Sequence, residues 1–208
     1  AMGGDGATSV AGTATIAPRA GIEMFATGGI GGVHRGPSFD VSNDLSALAV
    51  VPVAVVCAGA KSILDLAATL EWLETAGVPV VGYGTGTFPA FLTRSSGLEV
   101  QIHVETPREA ASVVRTGRRM GLPNGTLIVV PIPQSAALAA ELVEGAVASA
   151  LSAAQVHGIE GNALTPFLLE RVAQETEGAS LEANIALLEN NVGVAADIAL
   201  ALSEIPMA

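Results

Sequence analysis

Residues 53–66 read VAVVCAGAKSILDL, and the first part of that stretch decides the fold. From Val53 to Cys57 every side chain is apolar, with no polar residue to turn toward water. Such a continuous run suits a strand covered on both faces, as in a parallel sheet between helices. The segment SILDLAATLEWLETAG follows, with Ile63, Leu66, Leu70 and Leu73 at helical spacing. Ser62 with Asp65 reads as a capping box, and Gly77 stands where the helix should stop. VPVVGYGT is the next strand. A second unit repeats the logic, with a helix through REAASVVRTGRRMG, a turn at PNG and the strand TLIVVPIP. The last third reads as mostly helical, with Thr165 as an N-cap and Pro166 in the first helical position. The pattern predicts one α/β domain over residues 1–208, with a largely parallel sheet and a helical C-terminal end.

Lys61 is the only lysine in 208 residues, and it stands at the end of this most apolar run. Lysine is ordinarily a surface residue. Here it falls where a buried strand gives way to a helix, and in open α/β sheets ligands bind beyond the carboxyl ends of strands. Burial and a helix N-terminus both disfavour an ammonium, and a neutral amine beside a carbonyl can form a Schiff base. The plainer reading is a lysine whose stem packs while its head reaches water.

Composition narrows the functions. A net charge of −11 and a pI near 4.5 leave no basic face for nucleic acid. A small phosphorylated ligand stays possible, because loops of backbone N–H groups hold phosphate without net positive charge. The longest apolar candidate, Leu45 to Ala60, is interrupted by Ser46 and Pro52, so no membrane-spanning helix is expected. No secretory leader is read at the start, and Cys57 is the only cysteine, which together predict a cytoplasmic location.

Two further stretches carry candidate chemistry. ATGGIGGVHRG, residues 26–36, holds five glycines. Taking Gly29 and Gly31 as the first two of a dinucleotide fingerprint puts His34 where the third glycine belongs, so that motif fails. The loop is either a plain turn or a backbone that approaches a ligand closely. Downstream, Asp40 and Asp44 bracket Ser42 and Asn43, all with side-chain oxygens. Hard cations such as magnesium or manganese take such ligands, but the same residues serve as turns and caps. His34 and Arg35 could meet an anion or simply lie at the surface. His103 and His157 read as structural, and Cys57 as a small core residue.

TGGIGGVHRG, the SND segment, VVCAGAKSILD, GYGTGTFPAF, PIP, TPFLL and SLEANIALLENN occur in this order over nearly the whole chain. Together they resemble the pseudouridine-5′-phosphate glycosidase family. The resemblance implies a three-layer α/β/α sandwich assembled as a homotrimer. It implies that Lys61 holds C1 of a ring-opened ribose 5-phosphate as an imine and that Asn184 assists. It implies substrate contacts at Val10, Ser42, Asn43, Asp44 and His34, and a divalent metal, Mn2+, on Asp40. The partner released or joined would be uracil or an aromatic aglycone. The family also carries a further N-terminal third, with an acid/base glutamate and a second lysine, so such a segment is expected outside these residues.

Five positions depart from the family pattern: Gly86, Leu92, Val130, Gln134 and Asn162. If Gly86, Leu92 and Val130 line the aglycone side, the pocket is larger and more apolar than uracil needs. On that ground the synthetic direction is expected, as in the C-glycosynthases of polyketide antibiotic biosynthesis of the alnumycin kind. The glycosidase direction is the first alternative. A non-catalytic phosphosugar-binding protein is the second, and the failed glycine spacing argues against a dinucleotide-dependent oxidoreductase.

Overall fold

A computed structural model of the chain describes residues 7–36 and 40–206. The central sheet has five parallel strands in the order β1 (Met24–Ala26), β3 (Ala54–Cys57), β7 (Thr126–Val129), β5 (Val80–Tyr83), β6 (Ile102–Val104). A separate antiparallel pair joins β2 (Val33–His34) to β4 (Leu64–Asp65). Seven α-helices complete the described chain: α1 (Val10–Ile16), α2 (Asn43–Val50), α3 (Leu66–Thr75), α4 (Pro107–Arg119), α5 (Ala140–His157), α6 (Leu164–Glu175) and α7 (Ala179–Ser203).

The expected run of β3 is a strand with all four residues buried. Its alternation sorts the layers. Val55 and Cys57 face a core shared with Leu48 of α2, Leu73 of α3, Val147 of α5 and Leu168 of α6. Ala54 and Val56 face the opposite side, against Ala111 and Val114 of α4 and Ile198 and Leu202 of α7. The result is the three-layer α/β/α sandwich. Each fully buried valine contributes about 1.5–3 kcal/mol of transfer free energy, so β3 anchors both layers.

Several local expectations shift. Asp65, not Ser62, caps α3: its side chain accepts from the Ala68 amide, and the helix begins only at Leu66. Residues 58–65 are held away from helix geometry by tertiary pairing, including the β2–β4 ladder. Gly77 does end α3, in a left-handed conformation. At α6 a 3-10 turn over Gly161–Ala163 runs straight into the helix, so Thr165 and Pro166 lie inside the first turn. Pro166 is tolerated there because first-turn amides have no helical partner anyway. The side chain of Asn162 lies outside the described residues.

The expectation that no segment is long enough to cross a membrane is corrected by α7. Its 25 residues are long and apolar enough by length and composition. Alanine and leucine between its carboxylates make it so, yet Ala183, Leu187, Asn191, Ala195, Ile198 and Leu202 are buried within the protein. The same helix therefore reads as a packing element of this domain.

Candidate active site

The site is built where β1 and β3 end side by side. Beyond both strands the backbone pairing continues: Ala58 N donates to Gly28 O, Ile30 N to Gly59 O, and Lys61 N to Ile30 O. The glycine-rich loop and the lysine segment are thus one hydrogen-bonded unit, and a parallel bridge joins Ile30 to Ala60. Close packing explains the glycines. A side chain at Gly31 would put its Cβ 2.2 Å from Ser42 Oγ and 2.9 Å from Asp44 Oδ2. Gly59 combines a φ of +86° with a would-be Cβ 2.1 Å from the Pro89 carbonyl oxygen. The glycines of the loop are thus required by close packing against the protein's own α2 and, through Gly59, the Pro89 segment.

These strand ends floor a cavity of about 380 Å³, within the range of small-molecule sites. Val10, Asp44, Lys61 and Asn184 all line it, alongside Gly28, Gly29, Ser62, Phe91 and Leu92. Among the described residues of the lining, Lys61 is the one cation and Asp44 the one carboxylate. Lys61 is partly buried, and no hydrogen bond or ion pair holds its amine among the described residues. It precedes α3 by five residues, so the positive end of that helix is not what acts on it.

Asp44 is buried and fully engaged. Oδ1 accepts from the Ala11 amide at 2.8 Å, and Oδ2 from the Gly31 amide at 2.8 Å. It ties the first turn of α1 to the glycine loop. The Ser9 side chain takes the Gly12 amide, while the Val10 amide has no partner among the described residues. Asn184 comes from α7 and stands over Gly28, its Oδ1 3.0 Å from where a Cβ there would lie. About two turns further along α7, buried Asn191 donates Nδ2 to Thr27 O at 2.9 Å and to Gly28 O at 3.3 Å. Asn191 was missed from sequence because SLEANIALLENN carries three asparagines and only the packing separates them.

The other predicted site residues lie outside this lining. Ser42 is the N-cap of α2, accepting from the Asp44 amide, and Asn43 is an exposed first-turn residue. His34 sits on β2, its amide donating to Asp40 O. Asp40 is partly buried, and its carboxylate has no hydrogen bond or ion pair among the described residues. No group of three or more His, Cys, Asp or Glu side chains gathers into a metal site among the described residues. Among the described residues Asp40 therefore offers a single carboxylate, which could hold only a cation that keeps most of its waters.

Arg35 is not an anion site. Nε donates to Leu64 O and Nη2 to Ser62 O, while Nη1 pairs with Glu144 at 2.9 Å. Its guanidinium clamps the backbone just after Lys61. The Arg35 hydrogen bond holds the Glu144 carboxyl below its ordinary value. His103 pairs with Glu105 at the surface, and His157 stacks edgewise on Phe167, as structural residues do. Burial pushes the Cys57 thiol up to about 12, consistent with an inert core residue.

The presumed aglycone wall is corrected. Leu92 lines the cavity, but Val130 is buried in the core against α4 and α7, and Gly86 lies outside the lining. Val130 points that way because its amide extends the β7 ladder to Cys57 O. Phe91, beside Leu92, is buried with a φ of +64°, a strained backbone for an aromatic residue.

Known proteins share this sequence and shape. A pseudouridine-5′-phosphate glycosidase of Chloroflexus aurantiacus is 56% identical over 206 residues, covering 97% of this chain and 68% of that protein. One from Caldanaerobacter subterraneus subsp. tengcongensis is 54% identical over 207 residues, covering 99% and 67%. The crystal structure of the prealnumycin C-glycosynthase AlnA in complex with ribulose 5-phosphate superposes with a TM-score of 0.90 at 41% identity, covering 96% of this chain and 66% of that one. An indigoidine synthase A-like protein of Thermotoga maritima superposes at 0.84 with 36% identity, covering 94% and 64%. The chain thus spans about two thirds of the length of these relatives. With residues 1–201 also matching the model for indigoidine synthase A-like proteins, the chain belongs to that family, among relatives named pseudouridine-5′-phosphate glycosidases.

Proposed function

We propose that the protein acts as a pseudouridine-5′-phosphate glycosidase, splitting the C–C glycosidic bond to give uracil and ribose 5-phosphate. The observation that carries this reading is the single lysine, held by paired strand ends in a cavity with Asn184 and the Asp44-pinned loop. The identities of 54–56% to proteins of that name favour cleavage over synthesis. The synthetic reading rested on an enlarged aglycone wall, and only Leu92 of its three residues reaches the cavity.

A C–C bond has no ready leaving group, so an electron sink is needed. In this reading the neutral Lys61 amine adds at C1 as the ring oxygen departs and takes a proton. The nitrogen lone pair then forms the C=N bond while the bond to the base breaks. That pair goes to the base carbon, which is protonated as uracil leaves. Water adds to the imine and releases the sugar aldehyde, restoring the amine.

The chain's own residues position this sequence. Asn184 offers an amide to the sugar hydroxyls, and the Val10 amide offers a donor on the α1 side. A divalent cation, manganese by family resemblance, would be held by Asp40 with water and would neutralise phosphate charge. The expected homotrimer and cytoplasmic location belong to this reading as well. Exposed Leu181, Ile185, Leu188 and Val192 form an apolar stripe on α7 that assembly would cover, and Cys57 is a free buried thiol.

The test is incubation with pseudouridine 5′-phosphate and chromatography of the products. Release of uracil, abolished in Lys61→Ala, is expected. No uracil release, with C–C bond formation from ribose 5-phosphate and an aromatic acceptor instead, would reverse the assigned direction.

A further inference from the structure

Ser62 follows the lysine directly, and its surroundings are unusual. The residue is 4% exposed, and its Oγ is buried without a hydrogen-bond partner among the described residues. Its carbonyl oxygen accepts from Arg35 Nη2 at 3.0 Å, so the backbone that carries it is clamped. Ser62 is also the one residue shared by the lysine cavity and a second cavity of about 550 Å³, which Glu144, Thr93 and Ser96 help to line.

A buried hydroxyl without a partner costs about 1–3 kcal/mol relative to an apolar replacement of the same shape. The other buried polar side chains of this kind among the described residues belong to groups with bonds elsewhere: Arg115, Arg171 and Asn191 each use further nitrogens. Ser62 has a single polar side-chain atom, and it is the unpaired one. Alanine would fill the same space without that cost.

We propose that Ser62 is a second catalytic residue, whose hydroxyl relays a proton between the Lys61 amine and the oxygen leaving C1. The proposal rests on the imine reading of Lys61. Ser62 and Lys61 line the same cavity, and in this proposal rotation about χ1 to another staggered position is what brings Oγ to the reacting centre. Ser62 Oγ accepts the proton lost by Nζ as nitrogen bonds to C1. It donates its own proton to the C1 oxygen, giving the carbinolamine of the open-chain sugar. A second pass of the same relay carries the remaining N–H proton to that oxygen, which leaves as water while the nitrogen lone pair forms the C=N bond. The hydroxyl is thereby restored, and no outside acid, oxidant or reductant is consumed. In hydrolysis of the imine the same relay runs in reverse, from the attacking water to nitrogen.

The experiment compares the rate of borohydride-trapped adduct formation with ribose 5-phosphate in the parent chain and in Ser62→Ala, alongside thermal unfolding of both. The expected result is adduct formation slowed about tenfold or more in Ser62→Ala, at the low end of proton-transfer catalysis. Its unfolding midpoint should be unchanged or raised, because an unpaired buried hydroxyl has been removed. Ser62→Cys, which keeps the size and a weak donor, should recover part of the rate. Equal trapping rates in parent and Ser62→Ala overturn the proposal and leave the role of Lys61 standing. A clearly lowered unfolding midpoint in Ser62→Ala also overturns it, since the hydroxyl would then be a structural partner. Absence of any adduct in the parent refutes the imine reading itself, and the relay with it.

Discussion

Asp40 and Asp44 are four residues apart and chemically identical, yet the fold gives them opposite treatment. Asp44 is buried and accepts two backbone amides, one from α1 and one from the glycine loop. Asp40 is partly exposed, and its carboxylate has no hydrogen bond or ion pair among the described residues. One carboxylate is spent on architecture and the other is available for a ligand. The difference teaches that oxygen-rich spacing alone cannot distinguish a staple from a metal ligand. Residue separation explains why: the Asp44–Ala11 bond spans 33 positions of sequence.

The contrast can be broken by substitution at each aspartate. Asp44→Ala should have the larger effect, because it strands two buried amides. A loss of ~3 kcal/mol is expected, or roughly 6–12 °C in Tm, measured by calorimetry. Asp44→Asn keeps one acceptor oxygen and should lose about half as much. A wild-type Tm in Asp44→Ala would show that the two amides find other partners. Asp40→Ala should change stability by less than about 0.5 kcal/mol, as surface substitutions do. Its predicted effect is on function: any stimulation of adduct formation by Mn2+ should vanish. Retained stimulation would place the cation elsewhere.

Much of the fold was legible in the sequence, for a physical reason. Continuous apolarity from Val53 to Cys57 reports two covered faces, and Gly77 reports a left-handed helix end. Both signals are local. The short strands β1 and β6, three residues each, carry too little pattern to stand out. The start of α3 was misplaced because residues 58–65 obey long-range pairing with the glycine loop and β2 rather than their own helical spacing. The length estimate for apolar segments fell short at α7, where acids, asparagines and serines are scattered along a helix that is long and apolar enough by length and composition.

The site was legible in part. Lys61, Val10, Asp44 and Asn184 do converge on one cavity. His34, Asp40, Ser42 and Asn43 lie outside its lining, since motif order along the chain says nothing of which face each residue turns to. Val130 illustrates the same limit, for strand alternation directs it to the α4–α7 core. Ser62 read as a helix cap and Asn191 carried no signal of its own, because an unpaired hydroxyl and a backbone clamp exist only once the chain is folded.

The central claim is that Lys61 is a covalent catalyst, and borohydride reduction with ribose 5-phosphate, followed by mass mapping of the peptides, tests it most directly. The account predicts a reduced pentose phosphate adduct on the peptide containing Lys61. A chain that binds the sugar phosphate yet carries no adduct at Lys61 would contradict it.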